Sequence, residues 1–293
     1  MLFRKEYYCL VAGLKEYTLD SDRKGFDAPA LIAEIKEDLS RRDRRTVELL
    51  YTYYDIENLI GLRAGREHFS RLGNLSREEL QEELLAPSRL PASLGRVIAA
   101  FNAADKEGAG ADVGEDADME QSFERNLFAA YYAECARSSS QFLRRWSAFD
   151  RTLRNVAAAF AARRRGIPVA EVVVGTGDIE SALARSSAAD FGIKGEVAYV
   201  DQVMQAVSDA GNLVEKENRM DAIRWNMAEE LTLTNYFDLD FILGYLVRVN
   251  IIHRWTALDP QRGREMLHRL VEGLTERGTR CEMQTDKNKE TDI

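Results

Sequence analysis

Five prolines in 293 residues leave long stretches of chain without a helix breaker. Three cysteines, Cys9, Cys135 and Cys281, form an odd set with no Cys-x-x-Cys spacing. That excludes a disulfide framework and a structural zinc site, and it fits a reducing, cytoplasmic setting. Three scattered histidines and the lack of a Gly-x-Ser-x-Gly elbow leave little material for general acid–base or nucleophilic catalysis, so no enzymatic activity and no cofactor is expected. An excess of positive charge is missing as well. The net charge of −9 argues against nucleic-acid binding, which needs a basic surface to displace counterions. The longest apolar tract, Phe237 to Trp255, is interrupted by Asp238, Asp240, Arg248, His253 and Arg254, so it does not supply the roughly 20 apolar residues of a bilayer span. The opening Met1-Leu2-Phe3-Arg4-Lys5-Glu6 has no cleavable apolar core, and no secretory signal is expected from it.

What is present is helical. Hydrophobic residues make up 45% of the chain and charged residues 30%, the balance of a soluble helical protein able to bury a core. Asp27 with Pro29 marks a helix start, and Leu31, Ile32, Ile35 and Leu39 then share one face. A helix from about Asp43 carries Val47, Leu50, Tyr54 and Asn58 at steps of three and four, which turns Asn58 inward. Ser76 and Glu79 form a capping box, and Pro91 opens a helix bearing Leu94, Val97, Ile98 and Phe101. The strongest period in the chain runs through Phe142, Trp146, Phe149, Leu153, Val156 and Phe160, and Gly166 and Pro168 end it. Val172 to Val174 reads as an extended connection, with Asp178 capping the next helix. Two helices are expected between Tyr199 and Leu233, then one from Asp238 to Trp255 with Phe241, Tyr245, Val249 and Ile252 on its stripe. A last helix opens at Asp259-Pro260. Residues 105–118 are acidic and glycine-rich and read as a flexible linker, and 281–293 as a disordered tail.

Candidate chemistry is thin. Gly175-Thr176-Gly177 lacks the third glycine of a dinucleotide turn and the Gly-Lys-Ser/Thr of a phosphate loop. Glu265-Met266-Leu267-His268 is one Glu-x-x-His element, whereas a di-iron bundle needs two, so no metal is expected. Two arginine clusters, residues 41–45 and 163–165, read as solvated helix surface ahead of a partner site. Asn58, Asn155 and Asn250 each sit in a helical stretch before an aliphatic residue, with separations of 97 and 95. That spacing suggests one helical unit used three times. An asparagine on an apolar face must satisfy its amide, so Asn58 and Asn155 read first as structural residues bonding neighbouring backbone, with ligand binding as the second reading.

The run Tyr54-Asp55-Ile56-Glu57-Asn58-Leu59-Ile60-Gly61-Leu62-Arg63 resembles the Asp-x-x-Asn-Leu helix of the C subunit of V-type ATPases, the counterpart of the eukaryotic d subunit. Asp150 to Arg164, with Leu153, Asn155 and Arg163 before a Gly-Ile-Pro stop, resembles a second copy. Asp150 lies five residues before Asn155, whereas Asp55 lies three before Asn58. Ile242-Leu243-Gly244-Tyr245-Leu246 ahead of Asn250 resembles the last long helix of that family. The opening Tyr7-Tyr8-Cys9-Leu10-Val11-Ala12-Gly13-Leu14 and the closing Arg254-Trp255 resemble a bacterial family of unknown function, found mainly in Bacteroidetes, whose genes lie among those for V-type ATPases. The resemblance implies an all-α fold of helical bundle units in a pseudo-threefold arrangement, with units near 1–104, 119–198 and 199–280. It also implies a non-catalytic adaptor whose partners are the central shaft subunits and the membrane proteolipid ring, peripheral to the inner membrane through the ATPase complex. Two other classes stay open at this point, a helical binding scaffold unrelated to the ATPase and a small-molecule enzyme with a helical pocket.

Overall fold

The caps and stripes of the sequence become a chain of helices. A computed structural model describes residues 5–19, 26–107, 113–208 and 213–257, and among these residues there are twelve helices and no strand. They are α1 (Tyr8–Gly13), α2 (Ala28–Asp38), α3 (Arg41–Arg63), α4 (Arg77–Leu85), α5 (Ala92–Glu107), α6 (Val113–Ala136), α7 (Gln141–Arg165), α8 (Val169–Val172), α9 (Asp178–Arg185), α10 (Val200–Ser208), α11 (Leu213–Thr232) and α12 (Leu239–Ala257). The expected helix from Asp259, the Glu-x-x-His element and the tail lie outside the described residues.

The starts follow the expected chemistry. Asp27 accepts the N–H of Ala30 at 3.2 Å to open α2, and Ser76 and Glu79 complete a reciprocal capping box on α4. Ser40 and Ser140 cap α3 and α7 by accepting the N–H groups of Asp43 and Leu143. Gly166 ends α7 in the left-handed conformation at φ +70°, where a residue with a Cβ is strained. Two boundaries differ from expectation. Asp178 is the first helical residue of α9, not its cap; Gly177 holds the cap position and no side chain bonds there. The segment read as a linker is entered by helix from both sides, since α5 runs to Glu107 and α6 begins at Val113, while 108–112 lie outside the described residues.

The core is organised on α7. Its six stripe residues, Phe142 to Phe160, are all buried, and the helix packs against α6, α8, α9, α10, α11 and α12. Each such side chain withdrawn from water contributes about 1.5–3 kcal/mol. Helix α3, roughly 34 Å long at 1.5 Å per residue, packs on α4, α6 and α12. The N-terminal ends of α3, α7 and α12 meet. Tyr7 donates its hydroxyl to Asp43 and its N–H to the carbonyl of Phe237 at 2.6 Å, and the Ser140 hydroxyl donates to Asp240 at 2.5 Å. The three asparagine-bearing helices therefore run from one end of the bundle. Gly244 lets α12 lie close to α11 and α7, because a Cβ there would stand 2.5 Å from Cγ2 of Thr232 and 3.3 Å from the Phe142 ring.

Candidate functional site

Two of the three asparagines do the same thing. Asn58 accepts the N–H of Ser70 at 2.7 Å through Oδ1 and donates Nδ2 to the carbonyl of that same residue at 2.9 Å. Asn155 accepts the N–H of Val174 at 2.9 Å and donates to its carbonyl at 2.8 Å. Each long helix thus clamps the loop that follows it, by imitating the paired bonds of a strand neighbour. A carboxylate stands beside each clamp. Asp55 accepts the N–H of Leu75 at 3.0 Å and Nδ2 of Asn74 at 2.8 Å, and burial raises its pKa against those two donors. At the second clamp the acid is Glu180, from α9; it accepts from Asn155 at 3.2 Å and pairs with Arg151 at 3.0 Å. A glycine faces each carboxylate, Gly73 against Asp55 and Gly177 against Glu180, where any Cβ would collide with it. Asn250 differs: its Oδ1 accepts the Tyr51 hydroxyl at 3.0 Å, joining α12 to α3.

A polar network lies between these helices, with members from α3, α6, α7, α11 and α12. Asp150 accepts the Tyr132 hydroxyl at 2.8 Å and faces Nε of Arg224 at 3.7 Å. Asp221 is buried and receives Arg224 at 2.9 Å, Arg254 at 3.1 Å and the Trp255 indole at 2.8 Å. Arg254 also pairs with Glu217. Arg154 pairs with Glu124 at 2.5 Å and lies 3.8 Å above the Phe128 ring. Desolvation would lower the pKa of Arg224, but Asp150 and Asp221 outweigh it and hold the group more firmly charged. Burial raises the Tyr53 and Tyr132 hydroxyls, so both remain donors. Glu57 keeps exposed surface, yet desolvation raises its pKa, with Arg154 pulling the other way.

The chain matches the model of the family described as protein of unknown function DUF2764 over residues 4–278. It belongs to that family. No curated protein and no solved structure matches. Among the described residues of this family member no group of His, Cys, Asp and Glu is disposed to hold a metal ion, and no helix is long and apolar enough to cross a membrane.

The residues singled out in the sequence divide between clamp, polar network and neither. Asp55, Asn58 and the fully buried Leu59 form the first clamp and its footing, and Asn155 forms the second. Asp150, placed beside Asn155 by sequence likeness to Asp55, joins the polar network instead. Arg63 stacks 4.6 Å over Phe123. Arg163 binds the carbonyls of Ser186 and Ala188 and lies 3.6 Å over Phe191, closing the loop after α9 onto α7. Tyr245 donates to the carbonyl of Lys15 at 3.0 Å and lines a cavity of about 380 Å³ between the N-terminal arm and α12, with Val11, Leu14, Phe241 and Arg248. Sequence reading missed the network residues Tyr53, Glu57, Arg154, Asp221 and Arg224. The signal was there as polar pairs four apart, Tyr53 with Glu57 and Asp150 with Arg154, on helices whose apolar stripes belong to the core.

Proposed function

We propose that this protein is a non-catalytic adaptor in the central stalk of a V-type ATPase or ATP synthase, joining the rotor shaft to the membrane proteolipid ring. The observation that carries the reading is the repeated asparagine clamp, which falls inside the two segments that resemble the Asp-x-x-Asn-Leu helix of the V-type ATPase adaptor. Hydrogen bonds join α3 and α7 each to α12, and the three helices run from one end of the bundle, which supports a pseudo-threefold arrangement of three related units. The task of such an adaptor is mechanical. Torque passes through close-packed helices with little compliance, and no bond is made or broken. Stable contact with each of two partners calls for about 1,200–2,000 Å² of total buried surface per interface. On this reading the protein is cytoplasmic and reaches the inner membrane through the complex.

Deletion of the gene tests the reading in membranes from the native cell. ATP hydrolysis by the soluble head is expected to persist while coupled ion transport is lost, and the intact gene in trans is expected to restore it. Normal coupled transport in the deletion strain, with no substitute adaptor in the purified complex, overturns the assignment.

A further inference from the structure

The cavity between the N-terminal arm and α12 belongs neither to the clamps nor to the polar network. Its volume of about 380 Å³ lies near the small end of the range of about 300–1,000 Å³ found for small-ligand sites. Its apolar lining comes from Val11, Leu14 and Tyr17 of the arm and from Phe241, Tyr245 and Val249 of α12. The two sides are tied together at the cavity: the Tyr245 hydroxyl donates to the carbonyl of Lys15 at 3.0 Å, and the Tyr17 and Tyr245 rings meet at 6.3 Å. Three charged side chains, Lys15, Glu16 and Arg248, complete the lining. Lys15 and Glu16 are exposed, and Lys15 lies 5.4 Å over the Tyr17 ring. Arg248 differs, with only 18% of its side chain exposed. Its Nη1 reaches Glu229 at a long 3.4 Å, and its Cζ stands 5.5 Å from the Trp225 ring. Its Nε is buried, and among the described residues no acceptor meets it. An unpaired buried donor costs stability, and this one belongs to a residue in the wall of a cavity with room for an acceptor.

We propose that this cavity binds a small organic carboxylate with a compact apolar body, aromatic or branched. The carboxylate pairs side-on with Nε and Nη2 of Arg248, the edge that Glu229 leaves open, and the body packs among Tyr17, Phe241 and Tyr245. The lining sets the sign of the charge. It holds two cations and one carboxylate, and that carboxylate, Glu16, is exposed and screened by solvent, whereas Arg248 is mostly withdrawn from it. Six apolar residues around a small volume favour one short apolar body over a polyanion. Because the ligand touches both the arm and α12, its binding holds the arm down. The site is independent of the stalk reading, which neither requires nor forbids it.

The test uses the full-length chain with phenylacetate and isovalerate, each beside its neutral amide, and with inorganic phosphate. Saturation-transfer NMR reads binding, and hydrogen exchange reads its place. At least one carboxylate is expected to bind, with its amide weaker by about tenfold or more. Exchange is then expected to slow over residues 8–17 and 241–249. Arg248→Gln should weaken the carboxylate by about tenfold or more and leave the amide unchanged, a split that loss of a structural arginine would not produce. Leu14→Trp, which fills the cavity from the arm, should remove binding of acid and amide alike. Urea unfolding without ligand checks that both variants fold, and the wild-type comparison of acid with amide stands even if one does not. The proposal is overturned if neither carboxylate binds at millimolar concentration, if acid and amide bind alike, or if a folded Arg248→Gln binds the acid as wild type does. Phosphate binding as tightly as the carboxylates, or slowed exchange confined to other segments, overturns it too.

Discussion

Replacing Asn155 with alanine isolates what a clamp contributes. Asn155 has no exposed surface, and its partner Val174 is buried as well, so truncation strands both the N–H and the carbonyl of Val174 away from water. An unsatisfied buried group costs about 1–3 kcal/mol, and the space vacated is close to that of one water molecule, which can recover part of the loss. Asn155→Ala is therefore expected to cost about 3 kcal/mol. Asn58→Ala removes the same two bonds from Ser70, but Ser70 is half-exposed and solvent can take over both groups, so about 1–2 kcal/mol is expected there. Urea unfolding of the two variants beside wild type reads the difference. With the slope m unchanged, the midpoint shift gives the cost directly. In thermal unfolding the Asn155 variant should fall by about 6–12 °C, taking about 2–4 °C per kcal/mol for a domain of this size. Equal costs, or a larger one for Asn58→Ala, would refute the argument that burial of the clamped residue sets the magnitude.

Gly244→Ala should destabilise by about 1–3 kcal/mol, since the added methyl meets Thr232 and Phe142 across a close helix crossing; calorimetry of the variant checks it. Glu83 has no exposed surface, and although burial works to raise its pKa, the N–H groups of Ser88, Arg89 and Leu90 hold it below the usual carboxylate value. A depressed folded pKa stabilises above the unfolded value of about 4.3 and loses that contribution as pH falls through the folded one. Unfolding of Glu83→Gln should accordingly show a flatter pH dependence across that acid window than wild type. Burial pushes the Cys135 thiol up to about 12, whereas Cys9 is exposed. At about pH 8, iodoacetamide should modify Cys9 in the native protein and Cys135 only after unfolding, as read by peptide mass mapping.

The helices were legible because each carries local punctuation and a stripe. Asp27, the Ser76 and Glu79 pair, and Gly166 act on backbone groups within a few residues, and the Phe142 to Phe160 stripe has one apolar face to bury. Asn58 and Asn155 were legible as inward-facing amides in need of backbone partners. Which backbone they hold, 12 and 19 residues downstream, depends on how the loop returns, and no local pattern encodes that. The cap of α9 was misplaced for a related reason. Asp178 is a good capping residue by type, but Glu180 folds back against Gly177 to serve the Asn155 clamp, and a tertiary demand displaced the local one. The polar network was illegible because charged residues on a helix read first as solvated surface, and its members come from five helices spread from Tyr53 to Trp255.

The two clamps share one bonding pattern and differ in what surrounds it. The bond from the asparagine goes to backbone, which every sequence supplies, so the same residue works at Ser70 and at Val174 despite loops of different length. The neighbouring carboxylate bonds different groups at the two clamps: Asn74 and Leu75 of the following loop at the first, Arg151 and Asn155 of α7 at the second. It comes accordingly from the long helix itself in one case and from α9 in the other. At the second clamp Glu180 has that duty, and Asp150 of the long helix meets Tyr132 and Arg224 instead. Asp55 and Asp150, at different offsets from their asparagines, thus do different work: Asp55 holds the loop after α3, and Asp150 ties α7 to α6 and α11.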